Sequence, residues 1–165
     1  MRSLHFRPVA VLALLLLLAS CAKDTEDIAQ ETVILPATCG SDGARIQATI
    51  DGSAYCGSAQ VLATGDEGTV IATGVDLLGN TLIVQADSLA LGIQPITEAN
   101  NGLLYMQSGT PYAVMGGDPG TLTIIAVDTI AHILQASFSA TLHNEMSGAT
   151  RNVQGSMDVE YTVGQ

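Results

Sequence analysis

Four residues near the N-terminus carry the clearest chemistry in this chain. Leu18-Ala19-Ser20-Cys21 ends an apolar run that follows two arginines. The small residues Ala19 and Ser20 suit an extended backbone in a peptidase site, and the thiol of Cys21 directly after them offers a nucleophile for acylation. The apolar run is far shorter than the ~20 residues that a membrane-spanning helix needs. The segment therefore predicts a bacterial lipoprotein signal at residues 1–20, with cleavage after Ser20 and lipid on Cys21.

Two further cysteines, Cys39 and Cys56, would lie outside the cytosol, where spare cysteines commonly form a disulfide. In the chain-entropy model, closing this loop would contribute ~3 kcal/mol of stability. A hairpin that turns at Asp51-Gly52 places Cys56 opposite Gln47, so Cys39 reaches it only if the preceding segment folds back. The pairing therefore stays open at the level of sequence.

The spacing of the remaining candidates argues against a catalytic site. His132 and His143 lie eleven residues apart on one predicted strand, and because eleven is odd they face opposite sides of the sheet. A shared metal site or a paired acid–base function is therefore not expected. Asp158 and Glu160 project from one strand, but a glycosidase also needs a cleft and aromatic platforms, and the chain has no tryptophan. We predict no catalytic residues, no cofactor and no metal site.

Tyr105 and Tyr112 are the candidates for contact with a ligand. They lie on predicted neighbouring strands, on either side of the loop Ser108-Gly109-Thr110. Two such rings can form a small stacking surface for a sugar or a peptide. The simpler interpretation is that they cap the edge of the core with their hydroxyls in water.

An all-β domain must position these residues. After residue 44 apolar and polar residues alternate with a period of two, most clearly from Leu134 to His143, and helix caps are missing. Short turns at Asp51-Gly52 and Asn101-Gly102 predict antiparallel pairing. We predict ten strands, at residues 45–50, 54–63, 69–77, 81–87, 92–98, 103–108, 111–115, 121–128, 132–143 and 152–163.

The ten strands are predicted to form an antiparallel β-sandwich. Leu122 to Val127 and Leu82 to Val84 are apolar on both alternations, as expected where another layer covers a strand. A closed meander β-barrel is the alternative, since every connection is short. The chain then divides into a signal (1–20), a lipidated cysteine with a flexible acidic tether (21–44) and a single all-β domain (45–165).

Composition limits the partners of this chain. Once the signal and its two arginines are removed, three basic residues remain against sixteen acidic ones. Such a surface repels nucleic acid and anionic lipid headgroups. Membrane association must then come from covalent lipid on Cys21, where two or three acyl chains give stable anchoring.

Four segments together are similar to a known family: Ile50-Asp51-Gly52, Gly120 to Ile124, Leu134 to Ser139, and Gly155 to Tyr161. Their order and spacing, over residues 45–163, resemble small β-rich lipoproteins of unknown function from bacteria of the Bacteroidetes type. The resemblance implies an antiparallel β fold and a lipid anchor, and it offers no catalytic residues.

The residues directly after Cys21 resemble a sorting signal. Lys23-Asp24 with Glu26-Asp27 is similar to a signal for export to the cell surface in the same kind of bacteria. The residue directly after the cysteine is Ala22, whereas an aspartate at that position would resemble a signal for retention in the inner membrane. We therefore expect a lipid-anchored outer-membrane protein that faces the cell surface, with the periplasmic face as the alternative. The expected function is a non-enzymatic binding or assembly module with an envelope protein as partner. The rival is a glycan- or small-ligand-binding accessory lipoprotein that uses Tyr105 and Tyr112 or a barrel mouth.

Overall fold

The computed structural model describes Cys39, residues 44–66 and residues 68–164, and every regular element among them is a strand. Ser20, Cys21 and most of the expected tether lie outside these residues. The twelve strands are β1 (Arg45–Ile50), β2 (Ser53–Cys56), β3 (Gln60–Gly65), β4 (Val70–Val75), β5 (Thr81–Ala86), β6 (Gly92–Ile96), β7 (Gly102–Gln107), β8 (Thr110–Ala113), β9 (Gly120–Asp128), β10 (Ile133–His143), β11 (Thr150–Glu160) and β12 (Thr162–Val163). The predicted all-β class is confirmed.

Two of the ten predicted strands are each divided in two, which gives twelve. Residues 54–63 are interrupted after β2, where a Cβ on Gly57 would come within 2.9 Å of the Gly74 Cα atom on β4. Only glycine allows the chain to pass β4 this closely. Residues 152–163 are interrupted at Tyr161, after which β12 pairs with β3 in parallel. At both points the chain leaves one part of the sheet and joins another.

The strands form one continuous, open, mixed sheet that folds over itself into two layers. The first layer runs β12-β3-β4-β5-β7-β8, and the second runs β6-β9-β10-β11-β1-β2. The residue pair Ala113–His143 joins β8 of the first layer to β10 of the second. The hydrogen-bonded order ends at β2 and β12 rather than closing. The β-sandwich is therefore confirmed, and the barrel alternative is wrong because the chain turns one sheet back on itself without pairing its ends.

The core lies between the two layers. The predicted inward residues of β10 are all buried: Leu134, Ala136, Phe138, Ala140 and Leu142. Tyr55 on β2 ties the layers together, because its hydroxyl donates to the Gly74 carbonyl oxygen at 2.6 Å and accepts from the Leu82 backbone N–H at 3.1 Å. This buried hydroxyl therefore bonds to two backbone groups that are register partners in the β4–β5 pair.

The hairpin of β1 and β2 brings the two cysteines together. It turns at Asp51 and Gly52, whose φ angles are 50° and 81°, and it pairs Cys56 with Gln47 as predicted. Cys39 lies beside this strand end, with its Cα atom 5.4 Å from that of Cys56, and the two residues form a disulfide. Cys39 therefore lies against the end of the hairpin.

Candidate functional site

Tyr105 and Tyr112 form a cross-strand pair between β7 and β8, but they are not an exposed surface. Their side chains point into the core, where the residues are only 5% and 6% exposed. The two ring centroids are 6.2 Å apart, and Tyr105 also packs edge-on against Tyr55 of the other layer at 6.1 Å. The rings therefore do not provide a stacking platform for a ligand, because the alternation of β7 and β8 turns them into the core.

Burial also fixes the protonation of this tyrosine cluster. Desolvation raises the pKa of Tyr55 far above its ordinary value, although the hydrogen bond from Leu82 opposes the shift. Desolvation, reinforced by the negative charge of Asp76, raises the pKa of Tyr105. Both hydroxyls stay protonated at neutral pH, so neither can serve as a base.

Arg151 on β11 covers these rings at one end of the core. Its guanidinium carbon lies 4.8 Å from the centroid of the Tyr112 ring. Its Nε and Nη2 atoms donate to Gln107 Oε1 at 3.2 and 3.0 Å, and Nη1 lies 3.3 Å from Asp51 Oδ2. Because Arg151 belongs to the second layer and both Tyr112 and Gln107 belong to the first, these contacts form a clamp between the layers, which we call the Arg151 clamp.

A cleft of about 370 Å³ opens beside the Arg151 clamp. Asp76 in its wall accepts hydrogen bonds from the backbone N–H groups of Leu78 and Asn80, both at 2.8 Å, and from the Asn80 side-chain amide at 2.8 Å. Tyr55 and Arg151 are likewise bonded within the protein. The polar groups here hold the sandwich together, and a ligand would have to displace those bonds.

The outer face of the second layer carries uncharged hydrogen-bonding side chains in register. One row crosses four strands: Thr121, Ser139, Gln154 and Thr49. A parallel row lies two residues further along each strand: Thr123, Ser137, Ser156 and Gln47. We call these eight side chains the polar ladder. With ~4.8 Å between strands, each row extends about 14 Å.

A groove of about 360 Å³ follows the first row of the polar ladder and is bordered by Asp118. Within it, Thr49 Oγ1 donates to the Gln154 carbonyl oxygen at 3.4 Å. Among the described residues, the Gln154 side-chain amide and the hydroxyls of Thr121 and Ser139 make no hydrogen bond to the protein. In contrast to the cleft at the Arg151 clamp, this groove offers polar groups that are available to a ligand.

The two histidines are not brought together. His132 directly precedes β10 and His143 is its last residue, so the length of the strand places them more than about 30 Å apart. The His132 ring packs edge-on against Tyr161, and His143 Nε2 lies 3.4 Å from Asp118 Oδ2. Within the described part of the chain, His143 has no hydroxyl nucleophile as a second hydrogen-bond partner.

One of the two carboxylates considered for catalysis has a structural partner. Asp158 Oδ2 accepts a hydrogen bond from Arg45 Nη2 at 3.0 Å. Across Cys39, 44–66 and 68–164, no group of three or more His, Cys, Asp or Glu side chains is placed to hold a metal ion.

The outer face of the first layer combines apolar side chains with uncharged polar ones. One row crosses β3, β4, β5 and β7 at Leu62, Thr73, Ile83 and Leu104. Leu62 is 53% exposed, and Ile83 and Leu104 are half-buried. We call the outward side chains of Leu62, Ile71, Val75, Ile83, Leu104 and Met106 the apolar face. No charged residue occupies these rows.

The apolar face corrects one sequence expectation. Leu82 and Val84 are buried as predicted, but Ile83 points to the outer side, where no described element covers it. Ile125 in the second apolar segment is 57% exposed, beside a register shift between β9 and β10. Apolar residues on both alternations therefore indicate an apolar outer surface here, not a covering layer.

Sequence reasoning found part of the polar ladder and missed its register. The alternation of β10 and β11 predicts that Ser137, Ser139 and Gln154 face water, which they do. Thr49 joins this row only because β1 pairs with β11, which is distant in the chain. Thr121 joins it only because β9 pairs with β10, in a different hairpin from that of β10 and β11. The available signal was the choice of Ser, Thr and Gln at outward positions in a chain with sixteen acidic residues.

Together these features define a small all-β sandwich whose accessible chemistry lies on two outer sheet faces. None of the described residues belongs to a helix with the length and hydropathy of a membrane span. The chain matches no family model, and no curated protein or solved structure shows significant similarity to it.

Proposed function

We propose that this chain is a lipid-anchored protein of the bacterial cell envelope, and that its β-sandwich is a non-enzymatic binding or assembly module. The Leu18-Ala19-Ser20-Cys21 signal supports attachment to the outer membrane through lipid on Cys21. The acidic run after the cysteine supports exposure at the cell surface, with the periplasmic face as the alternative. Membership of the family of small β-rich lipoproteins is part of this proposal.

The apolar face is the observation that carries the assembly function. Exposed apolar patches on a soluble domain commonly mark sites of protein interaction. This patch has no charge in a chain whose formal net charge is −11. A partner that docks here avoids the like-charge repulsion of the acidic turns and buries no ion. The partner is therefore an envelope protein with an apolar, uncharged contact surface.

The size of the apolar face limits the strength of this contact. The four strands and the five residues along each span about 14 Å by 14 Å between the outermost Cα atoms. This is well below the ~800 Å² that each partner buries in a stable standard interface. The contact is therefore reversible on its own, and confinement of both partners to one membrane raises their effective concentration.

Site-specific photocrosslinking in intact cells tests this proposal better than amine reagents, because Lys23 is the only lysine in the chain. A photoreactive residue at Leu104 on the apolar face should capture one envelope protein in near-stoichiometric amount. The same residue at Ser137 on the polar ladder is the matched control and should not capture it. The additional substitution Ile83→Thr should reduce the Leu104 crosslink. Equal capture from both faces would refute docking at the apolar face.

The anchor is tested separately by Cys21→Ser. This variant should leave the membrane fraction, since acyl chains cannot be attached. If it still sediments with membranes after a high-salt wash, the lipid-anchor proposal is wrong.

A further inference from the structure

We propose that the polar ladder and its groove bind a neutral, hydroxyl-rich glycan chain. This site is on the opposite outer face from the apolar face, and it does not depend on the protein partner proposed above. It also differs from the surface predicted at Tyr105 and Tyr112, whose rings are buried.

The hydrogen-bonding capacity of the groove favours such a ligand. The amide of Gln154 offers both donors and an acceptor, and the hydroxyls of Thr121 and Ser139 each offer one donor and acceptor lone pairs. Among the described residues these groups are not bonded within the protein. Sugar hydroxyls also donate and accept, so they match this mixture, whereas a phosphate or carboxylate only accepts.

Charge selects against ionic ligands. Asp118 is the charged side chain that lines the groove, and its carboxylate lies beside His143 at 3.4 Å. Together with the formal net charge of −11, this disfavours polyanions such as nucleic acids and acidic polysaccharides. The groove offers no second carboxylate that would hold a polycation.

The shape of the groove suits an extended polymer. Its volume of about 360 Å³ lies at the lower end of ligand sites, and it runs across four strands rather than into the core. Each step to the next strand, ~4.8 Å, brings another uncharged polar side chain into register. Successive sugar units laid across the strands would therefore meet a repeated set of partners.

The same geometry predicts weak binding. The groove has no aromatic side chain to stack on a sugar ring. Hydrogen bonds made there replace bonds to water, so the net gain is small. We expect a dissociation constant on the order of 1 mM for a single chain, strengthened at a cell surface by many anchored copies.

The experiment is calorimetric titration of the full-length protein in detergent with neutral hexasaccharides derived from glucan, mannan and xylan. At least one should bind with a Kd of about 1 mM. Gln154→Leu combined with Ser139→Ala should weaken that binding at least tenfold. Gln85→Leu is the matched control, because Gln85 is an outward glutamine in the rows of the other layer, and it should change the Kd less than twofold.

Three results would overturn the glycan site. These are no binding by any neutral hexasaccharide, binding that the double substitution leaves unchanged, and tighter binding of an oligogalacturonate of equal length. Thermal unfolding of each variant separates loss of the site from loss of the fold. Photocrosslinking from Leu104 should persist in the double variant, so failure of this inference is distinguishable from failure of the proposed assembly function.

Discussion

The two outer faces of the sandwich have the same backbone pattern and differ in how many apolar side chains they carry. On β10 and β11 most outward positions are Ser, Thr, Gln and Asn, with Ile133, His143, Asp158 and Glu160 toward the strand ends, whereas on β4, β5 and β7 several are Ile, Leu, Val and Met. The inward positions of both layers are apolar and share one core. The shared core therefore specifies the fold, and the two outer faces differ in the ligands or partners that they can bind.

Solvation explains why the difference is informative. An antiparallel sheet with one side in water normally has a polar outer face, so exposure to water alone accounts for the polar ladder. An apolar outer face lowers solubility unless another surface covers it. The apolar face is therefore the stronger sign of a macromolecular partner, and the polar ladder becomes informative through its unoccupied hydrogen-bonding groups.

The largest effect is expected beneath the polar ladder, at Gly155. A Cβ there would lie 2.7 Å from Phe138 Cζ and 2.8 Å from Ala48 Cβ, closer than packed carbon atoms allow. Gly155→Ala should lower the free energy of unfolding by about 3 kcal/mol. Gly68→Ala, where a Cβ meets nothing within 4 Å, should change it by less than about 0.5 kcal/mol. Urea denaturation measures both, and equal stability of the two variants would contradict the close packing under this face.

The next effect tests the link between the layers at Tyr55. Tyr55→Phe removes the buried hydrogen bonds to the Gly74 carbonyl and from the Leu82 N–H, which should cost about 2 kcal/mol. The raised pKa also gives a pH dependence. Above the unfolded value of 10.0, the unfolded chain releases a proton that folded Tyr55 retains, so stability falls as the pH rises past 10.

Removing the hydroxyl should therefore flatten part of this alkaline loss. Chemical denaturation between pH 9 and pH 11 provides the measurement, in roughly the window set by the tyrosine reference pKa of ~10. An identical decline in the wild type and in Tyr55→Phe would show that the buried hydroxyl does not govern it.

A smaller effect on stability compares the Arg151 clamp with the ion pair between Arg45 and Asp158. Arg151→Met loses the contact with the Tyr112 ring, the hydrogen bonds to Gln107 and the ion pair with Asp51, which should cost about 1–2 kcal/mol. Arg45→Met breaks an ion pair with Asp158 whose side chains are about one-third exposed, and it should cost less than about 1 kcal/mol. Thermal unfolding at low salt compares the two. A larger loss for Arg45 would place the important cation on the outer face.

The sequence allowed the fold to be predicted further than the site. Period-two alternation locates the strands, and the Asp51-Gly52 turn fixes the partner of Cys56, because both are local properties of the backbone. The division of residues 54–63 was not predictable, since it depends on the approach of Gly57 to Gly74 on a different strand. The inward direction of Tyr105 follows from its alternation with Leu104 and Met106, but both of these are also apolar and so concealed it.

The smallest effects decide what the outer faces are. Ile83→Thr on the apolar face and Ser137→Val on the polar ladder exchange their chemistry at half-buried positions in the middle of a strand. Each should change the free energy of unfolding by less than about 1 kcal/mol, because both side chains point away from the core. Binding of an apolar fluorescent dye should fall for Ile83→Thr and rise for Ser137→Val.

The outcome for Ile83 discriminates between two structural explanations of the same sequence. If Ile83 is an outward side chain, its replacement changes dye binding and leaves stability nearly intact. A loss of more than about 2 kcal/mol would instead be the signature of a covered side chain that leaves a cavity. That result would restore the interpretation of Leu82 to Val84 as a strand covered on both faces. It would also remove the apolar face as a docking surface, while the polar ladder would stand unchanged.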